Sequence, residues 1–269
     1  MTTPKVLTER RDHTLVVTIN RPEVRNCVDG ETAQGLFEAA QTFRDDDDLR
    51  VLVLTGAGDP SAGSGQAAFC SGADLKATAT LATRPGARES GPMGLSRITD
   101  IDKPTIAAVN GYCTAGGLEL ACWCDFRIAA RNAQFGVLNR RWGVPLVDGG
   151  TQRLPRIVGL GNALYLIETG ALIDAEHALR IGLAQELVPE GKALERALAV
   201  ADALASYPQL GLRNDRKAAI EGLSLSLAEG LEHEARVHRN TAFAPEMAEW
   251  LQRYASGDRP APFRPPPSS

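Results

Sequence analysis

Residues 115–119 read Ala115-Gly116-Gly117-Leu118-Glu119, a small-residue turn that opens into an apolar stretch with one carboxylate near its start. Glycine lets a backbone come close to a ligand, and a helix beginning here aims unpaired N–H groups at whatever lies in front of it. Such donors suit an oxygen that becomes negative during a reaction. Glu119 then stands where it can move protons beside that oxygen, the pattern of an enzyme that stabilises an enolate. A second glycine turn lies upstream, Ala68-Phe69-Cys70-Ser71-Gly72-Ala73-Asp74-Leu75-Lys76, again between strand-like and helix-compatible sequence. Each turn offers a backbone N–H, and the pair can converge on one carbonyl oxygen. Either turn alone is equally plain architecture at a strand-to-helix junction.

The elements that must position these turns follow from the patterning. Residues 13–20 are β-branched and predict a strand, broken by Arg21-Pro22. Asp29 caps an amphipathic helix carrying Leu36, Phe37, Ala40 and Phe43, which ends in the solvated acidic run 45–48. Residues 51–55, 105–109 and 125–129 are short, continuous apolar runs of the kind found in buried parallel strands. Strands separated by helical stretches predict an α/β fold with crossover connections. Residues 61–67 read as an insertion, and residues 77–96 as a lid or a poorly ordered loop. From Asp174 the texture is helical: Asp174 caps residues 175–181, Gly182 closes that helix, and residues 192–207, 210–220 and 223–254 follow. Residues 257–269 are proline-rich and predict an extended tail.

The 269 residues carry a formal net charge of −4, with 43% hydrophobic and 23% charged side chains. That is an ordinary soluble composition with a sizeable core, and it argues against nucleic acid as a partner, which needs a basic face. The five cysteines are scattered through apolar surroundings, and Cys122 and Cys124 lack zinc-knuckle spacing. They read as buried, reduced thiols in a cytoplasmic protein. The four histidines form no ligand cluster, so no metal is expected. No run is apolar enough for a signal peptide or a membrane span.

Several blocks, in order along most of the chain, resemble the crotonase (enoyl-CoA hydratase/isomerase) superfamily. They are residues 19–26 (Ile-Asn-Arg-Pro-Glu-Val-Arg-Asn), 68–76, 103–111 (Lys-Pro-Thr-Ile-Ala-Ala-Val-Asn-Gly), 116–125, 133–136 (Ala-Gln-Phe-Gly) and 149–154 (Gly-Gly-Thr-Gln-Arg-Leu). The resemblance implies an α/β, crotonase-like spiral of repeated ββα units over residues 1–200. It implies a helical trimerisation region over 201–256, followed by the tail. It implies a homotrimer or a dimer of trimers, with an acyl-CoA thioester as substrate and no cofactor beyond the coenzyme A that the substrate carries. The family's oxyanion hole falls on the N–H groups of Ala73 and Gly116. Its CoA-binding wall falls on Val24, Arg25, Ser71, Asp74 and Leu75, with Lys217 as a further phosphate contact; Arg25 is equally readable as a surface cation.

The sequence departs from the standard hydratase of that family, which uses two glutamates. The first matches Glu119, which is otherwise readable as a structural carboxylate. The second position holds Asn139, an amide that orients water but neither takes nor gives a proton near neutral pH. Asp148, directly before Gly149-Gly150, is a conditional substitute as a second acid–base group; it is equally readable as a helix N-cap. Arg140 and Arg141 are open between pocket, surface and trimer contact, and Trp142 reads as packing. The resemblance implies a 2-enoyl-CoA hydratase-type lyase first and an enoyl-CoA isomerase second. Other acyl-CoA chemistry and a non-catalytic acyl-CoA-binding protein stay open, the last because of the missing second glutamate.

Overall fold

The computed structural model describes residues 3–58 and 67–264. Two sheets are laid down in step. The larger has six strands in the order β1 (Val6–Arg11), β2 (Thr14–Ile19), β3 (Val51–Gly56), β5 (Thr105–Val109), β7 (Phe126–Ala130) and β10 (Glu186–Val188). The smaller has four: β4 (Ala68–Cys70), β6 (Tyr112–Thr114), β8 (Gln134–Gly136) and β9 (Leu172–Asp174). The chain visits the sheets alternately, β3 then β4, β5 then β6, β7 then β8. Strands β2, β3, β5, β7 and β10 run parallel, as do β4, β6 and β8. Each β4, β6 and β8 end leads into a turn or helix over the same edge, giving the expected ββα spiral.

The helices are α1 (Gly30–Asp45), α2 (Thr78–Ala82), α3 (Ala87–Ser90), α4 (Gly116–Trp123), α5 (Gly150–Val158), α6 (Leu160–Thr169), α7 (Ala175–Arg180), α8 (Ala193–Ser206), α9 (Gln209–Gly222), α10 (Leu227–Val237) and α11 (Pro245–Ala255). Both faces of the larger sheet are covered, which is why residues 51–55 are apolar without alternation. Leu52 and Leu54 pack with α1, α4 and the smaller sheet. Val51 and Val53 pack with Ala197, Val200 and Ala201 of α8. The Asp29 and Asp174 carboxylates cap α1 and α7 by accepting from the Thr32 and His177 N–H groups.

The structure corrects several expectations. Residues 6–11, which carry no strand signal, form β1, an edge strand whose Glu9, Arg10 and Arg11 are exposed, as edge strands tolerate. Residues 77–96 are not a loose loop. They form α2 and α3 and bury Leu81, Met93 and Leu95. The helical stretch 223–254 is divided, because Ser226 and Glu229 make a reciprocal capping box that starts α10 and Pro245 starts α11. The expected insertion at 61–67 lies outside the described residues except for Ala67, which is buried. Of the tail, residues 258–264 have no regular structure, and the Phe263 ring lies 5.0 Å from the Arg196 guanidinium of α8. No helix among the described residues is long and apolar enough to cross a membrane.

Candidate active site

The β4 and β6 ends deliver the two glycine turns to one place. A methyl group added at Gly72 would stand 2.9 Å from both the Ala115 Cβ and the Gly116 nitrogen. Gly72 adopts φ +98, a conformation that side chains rarely take. The turn is anchored from the far side: the Val28 N–H donates to the Gly72 carbonyl and the Asp74 N–H to the Val28 carbonyl, both at 2.8 Å. Those contacts use the amides flanking Ala73, so the Ala73 N–H faces the opposite way. Gly116 is the first residue of α4, and Ala115 before it takes φ 53 and ψ −126. Neither the Ala73 nor the Gly116 N–H has an acceptor among the described residues.

Both residues line a cavity of about 650 Å³. Its wall also includes Val24, Arg25, Ser71, Asp74 and Leu75 from the expected CoA-binding set, together with Glu119, Asn139 and Asp148. The turn that carries Val24 and Arg25 is held by buried Asn26, whose Nδ2 donates to the Ala57 and Ala68 carbonyls at 2.9 and 2.7 Å. The Arg25 guanidinium lies 5.3 Å from the Tyr112 ring, and its carbonyl accepts from the Ser71 N–H. The Asp74 carboxylate accepts from Arg21 Nη2 at 2.9 Å, so that side chain braces the turn. Lys217 is not brought to this place: it is exposed on α9 and does not line the cavity of its own chain.

Glu119 sits in the first turn of α4 with only 3% of its surface exposed. Its Oε1 accepts from the Asp148 N–H at 2.9 Å and the Gly150 N–H at 2.8 Å. A Cβ on residue 150 would lie 3.0 Å from that oxygen, so glycine permits the approach. Burial is the leading influence on this carboxyl and pushes its pKa up to about 7. The Gly150 N–H opposes that rise and the nearby Asp148 charge adds to it. Glu119 therefore changes protonation near neutrality, where a group that must both take and give a proton is most useful.

Asp148 is not the cap of α5. The cap position is Gly149, φ +99, with no side-chain hydrogen bond. The Asp148 Oδ1 instead accepts from the Met93 N–H at 3.0 Å and from the Ser96 hydroxyl, tying the 93–96 segment to the cavity wall. Burial raises its pKa, against the Ser96 and Met93 hydrogen bonds that favour the anion. The segment so held puts the Met93 thioether against Gly116, where an added Cβ would lie 3.0 Å from Met93 Cε. Met93 and Ser96 carry no motif that marks them in the sequence, since their contacts with Asp148 span more than fifty positions.

Asn139 is buried in a 3-10 turn (Leu138–Trp142). Its Nδ2 donates to the Val144 carbonyl at 2.8 Å. Trp142 is 72% exposed at the cavity wall, so it is not the core packing residue expected of it. Arg140 donates to the Ile167 carbonyl, and Arg140 and Arg141 are both exposed. All five cysteines are free, four of them buried. Among the described residues no group of three or more His, Cys, Asp or Glu is placed to hold a metal ion.

Comparison with known proteins agrees with this architecture. A family model described as enoyl-CoA hydratase/isomerase matches residues 9–264. The chain is 37% identical to a crotonyl-CoA hydratase of Syntrophomonas wolfei, over 86% of this chain and 86% of that protein. It is also 37% identical to an (E)-benzylidenesuccinyl-CoA hydratase of Thauera aromatica, over 84% of this chain and 86% of the other. Among solved structures, an enoyl-CoA hydratase of Mycobacterium tuberculosis superposes with a TM-score of 0.87 at 32% identity, covering 96% of this chain and 98% of that one.

Proposed function

This chain belongs to the enoyl-CoA hydratase/isomerase family as one of its acyl-CoA enzymes, and we propose that it adds water to a 2-enoyl-CoA with Glu119 as its proton carrier. The observation that carries the reading is the meeting of two N–H groups without an acceptor among the described residues, on Ala73 and Gly116, in one cavity with a carboxyl that burial pushes up to about 7. The two N–H groups hold the thioester carbonyl oxygen and take up the charge it gains. Glu119 takes a proton from water as the water oxygen bonds to the β-carbon. The electron pair of the Cα=Cβ bond moves into the enolate. The enolate then collapses, its α-carbon takes that proton back from Glu119, and the 3-hydroxyacyl thioester forms with the carboxylate regenerated. Fixed donors of this kind are worth about 100- to 1000-fold in rate each.

In this reading Val24, Arg25, Ser71, Asp74 and Leu75 bound the coenzyme A end of the cavity. Lys217 would take part only across a contact between subunits. The reaction needs no separate metal or organic cofactor. Asp148 acts as a positioning residue through Met93 and Ser96. A second reading, isomerisation of an enoyl-CoA with Asp148 as a further acid–base group, is favoured by its place in the same cavity wall. The five free thiols support a reducing, cytoplasmic setting. The exposed apolar side chains of α9–α11 support a trimer or a dimer of trimers.

The test is hydration of crotonyl-CoA, followed as loss of the conjugated enoyl absorbance and identification of 3-hydroxybutyryl-CoA by mass. Wild type turns over, and Glu119→Gln loses at least about 100-fold in kcat. A wild-type rate equal to the background retires hydration; conversion of 3-enoyl- to 2-enoyl-CoA in its place supports isomerisation.

A further inference from the structure

Arg153 enters no step of the proposed reaction and does not line the cavity, but it is tied to the carboxyl that does. It lies near the start of α5 and is half-buried. Its Nη1 donates to the Asp148 carbonyl at 3.2 Å. A Cβ at residue 149 would collide with that nitrogen, so glycine lets the guanidinium lie against the turn. The same turn supplies the Asp148 and Gly150 N–H groups that hold Glu119 Oε1. Arg196 and Arg216 pair directly with Glu186 and Asp125, whereas Arg153 makes no ion pair among the described residues. Burial lowers its pKa, and the Cys122, Glu119, Cys124 and Asp148 groups that face it oppose the fall. A guanidinium keeps its charge all the same. A fixed cation, committed to no carboxylate, thus stands against the turn that grips Glu119.

Few charged groups face Glu119. Asp148 does so from the turn and Arg153 from α5. Cys122 lies one turn further along α4, and burial pushes that thiol up to about 11, so it is neutral where Glu119 titrates. The 93–96 segment brings no titratable side chain. Asp74 of the Ala73 turn is paired with Arg21, and Arg140 of the 3-10 turn donates to the Ile167 carbonyl. An arginine in direct contact would hold the carboxylate ionised, because an opposite charge within about 4–6 Å lowers a carboxyl pKa by about 1–3. It would also occupy an oxygen that must exchange a proton. At one remove, on the far side of a peptide turn, the cation favours the anion without binding it. We propose that Arg153 is a positioning residue for this reaction: it holds the 148–150 turn on Glu119 and supplies the positive charge that faces the Glu119 anion. This assignment rests on the reading of Glu119 as the proton carrier.

The test reads the Glu119 proton directly as well as through turnover. Difference infrared spectra follow the carbonyl band of the protonated Glu119 carboxyl as pH rises through neutrality; the band is identified by its loss in Glu119→Gln. In wild type it is half lost at about pH 7. Arg153→Gln is expected to move that midpoint up by about 0.5–1 pH unit, and Arg153→Lys, which keeps the charge, to stay within about 0.3 of wild type. Arg153→Met serves if the glutamine variant does not fold. The acid limb of kcat/KM for crotonyl-CoA moves with the band. At pH 7 the glutamine variant loses at least about twofold in kcat, while KM stays within about twofold because Arg153 does not line the cavity. A midpoint unmoved in Arg153→Gln, or moved as far in Arg153→Lys, overturns the proposal. A wild type whose midpoint responds to Arg153 but which leaves crotonyl-CoA unchanged retires hydration and keeps the cation's place beside Glu119. Turnover with an unmoved midpoint does the reverse.

Discussion

Glu119 carries a cost to stability that serves the reaction. Its burial raises the pKa to about 7 from the ordinary 4.5, so the folded protein binds this proton more tightly than the unfolded chain does. The associated stability is fully present below about pH 4.5 and is lost as pH rises to about 7. Above that the ionised carboxylate is a burden on the fold of at most about 3 kcal/mol. Glu119→Gln is therefore expected to be inactive yet more stable than wild type at pH 8, by about 1–3 kcal/mol, with the gain shrinking toward pH 5; urea unfolding at the two pH values checks this. Activity follows the opposite course, because the base must be ionised: kcat/KM rises with pH through about 7 and is flat above it. A profile whose acid limb lies near pH 4.5 would mean that burial does not raise the Glu119 carboxyl. Asp148 calls for a different pair of variants. Asp148→Asn keeps an oxygen for Met93 and Ser96 and is expected to stay within a few-fold of wild-type kcat, while Asp148→Leu frees the 93–96 segment and loses about 1–3 kcal/mol of stability. A loss of about 100-fold or more in Asp148→Asn alone would make Asp148 a proton-transfer group.

At the scale of the elements, the two glycine turns work as one object because Gly72 leaves room for Gly116. Gly72→Ala places a methyl group 2.9 Å from the Gly116 nitrogen and forces a left-handed φ on alanine. It is expected to cost about 1–3 kcal/mol of stability and to cut kcat/KM by 100-fold or more, read by thermal unfolding and by steady-state kinetics on the same preparation. A variant of normal rate would mean that the Ala73 turn does not serve the reaction. Much of this level is legible in the sequence. The apolar runs at 51–55, 105–109 and 125–129, the caps at Asp29 and Asp174 and the two glycine turns all carry local signals, and the structure forms each of them. What local sequence cannot show is that the turns touch, or that Asp148 reaches Met93 and Ser96 in place of capping α5. Those facts depend on contacts between distant segments, and a carboxylate before Gly-Gly looks the same in both roles. The division of residues 223–254 was written in the sequence, in Ser226, Glu229 and Pro245, beneath a continuous apolar pattern that hides it.

For the whole molecule, the C-terminal helices pose the remaining question. Helix α9 is tied to the core by polar contacts: Arg216 pairs with both Asp125 oxygens at 2.7 and 2.8 Å and donates to the Ile101 carbonyl. Yet α9, α10 and α11 bury no residue in the isolated chain. Leu227 is 81% exposed, Phe243 88% and Leu231 57%. Large apolar side chains exposed in this number are unusual on a monomer and ordinary between subunits, where their burial contributes about 25 cal/mol per Å². The proposed trimer makes a definite claim about mass and stability together. Light scattering should give three or six chain masses for wild type. Leu227→Asp with Leu231→Asp should reduce that to one and lower the thermal midpoint, which should then lose the protein-concentration dependence that an oligomeric wild type shows. If Lys217 contacts coenzyme A only across the subunit boundary, the same double variant should raise KM for the thioester more than it lowers kcat, whereas Lys217→Ala should raise KM and leave the mass alone. A wild type that runs as a single chain mass would remove the trimer and, with it, any place for Lys217 in the site.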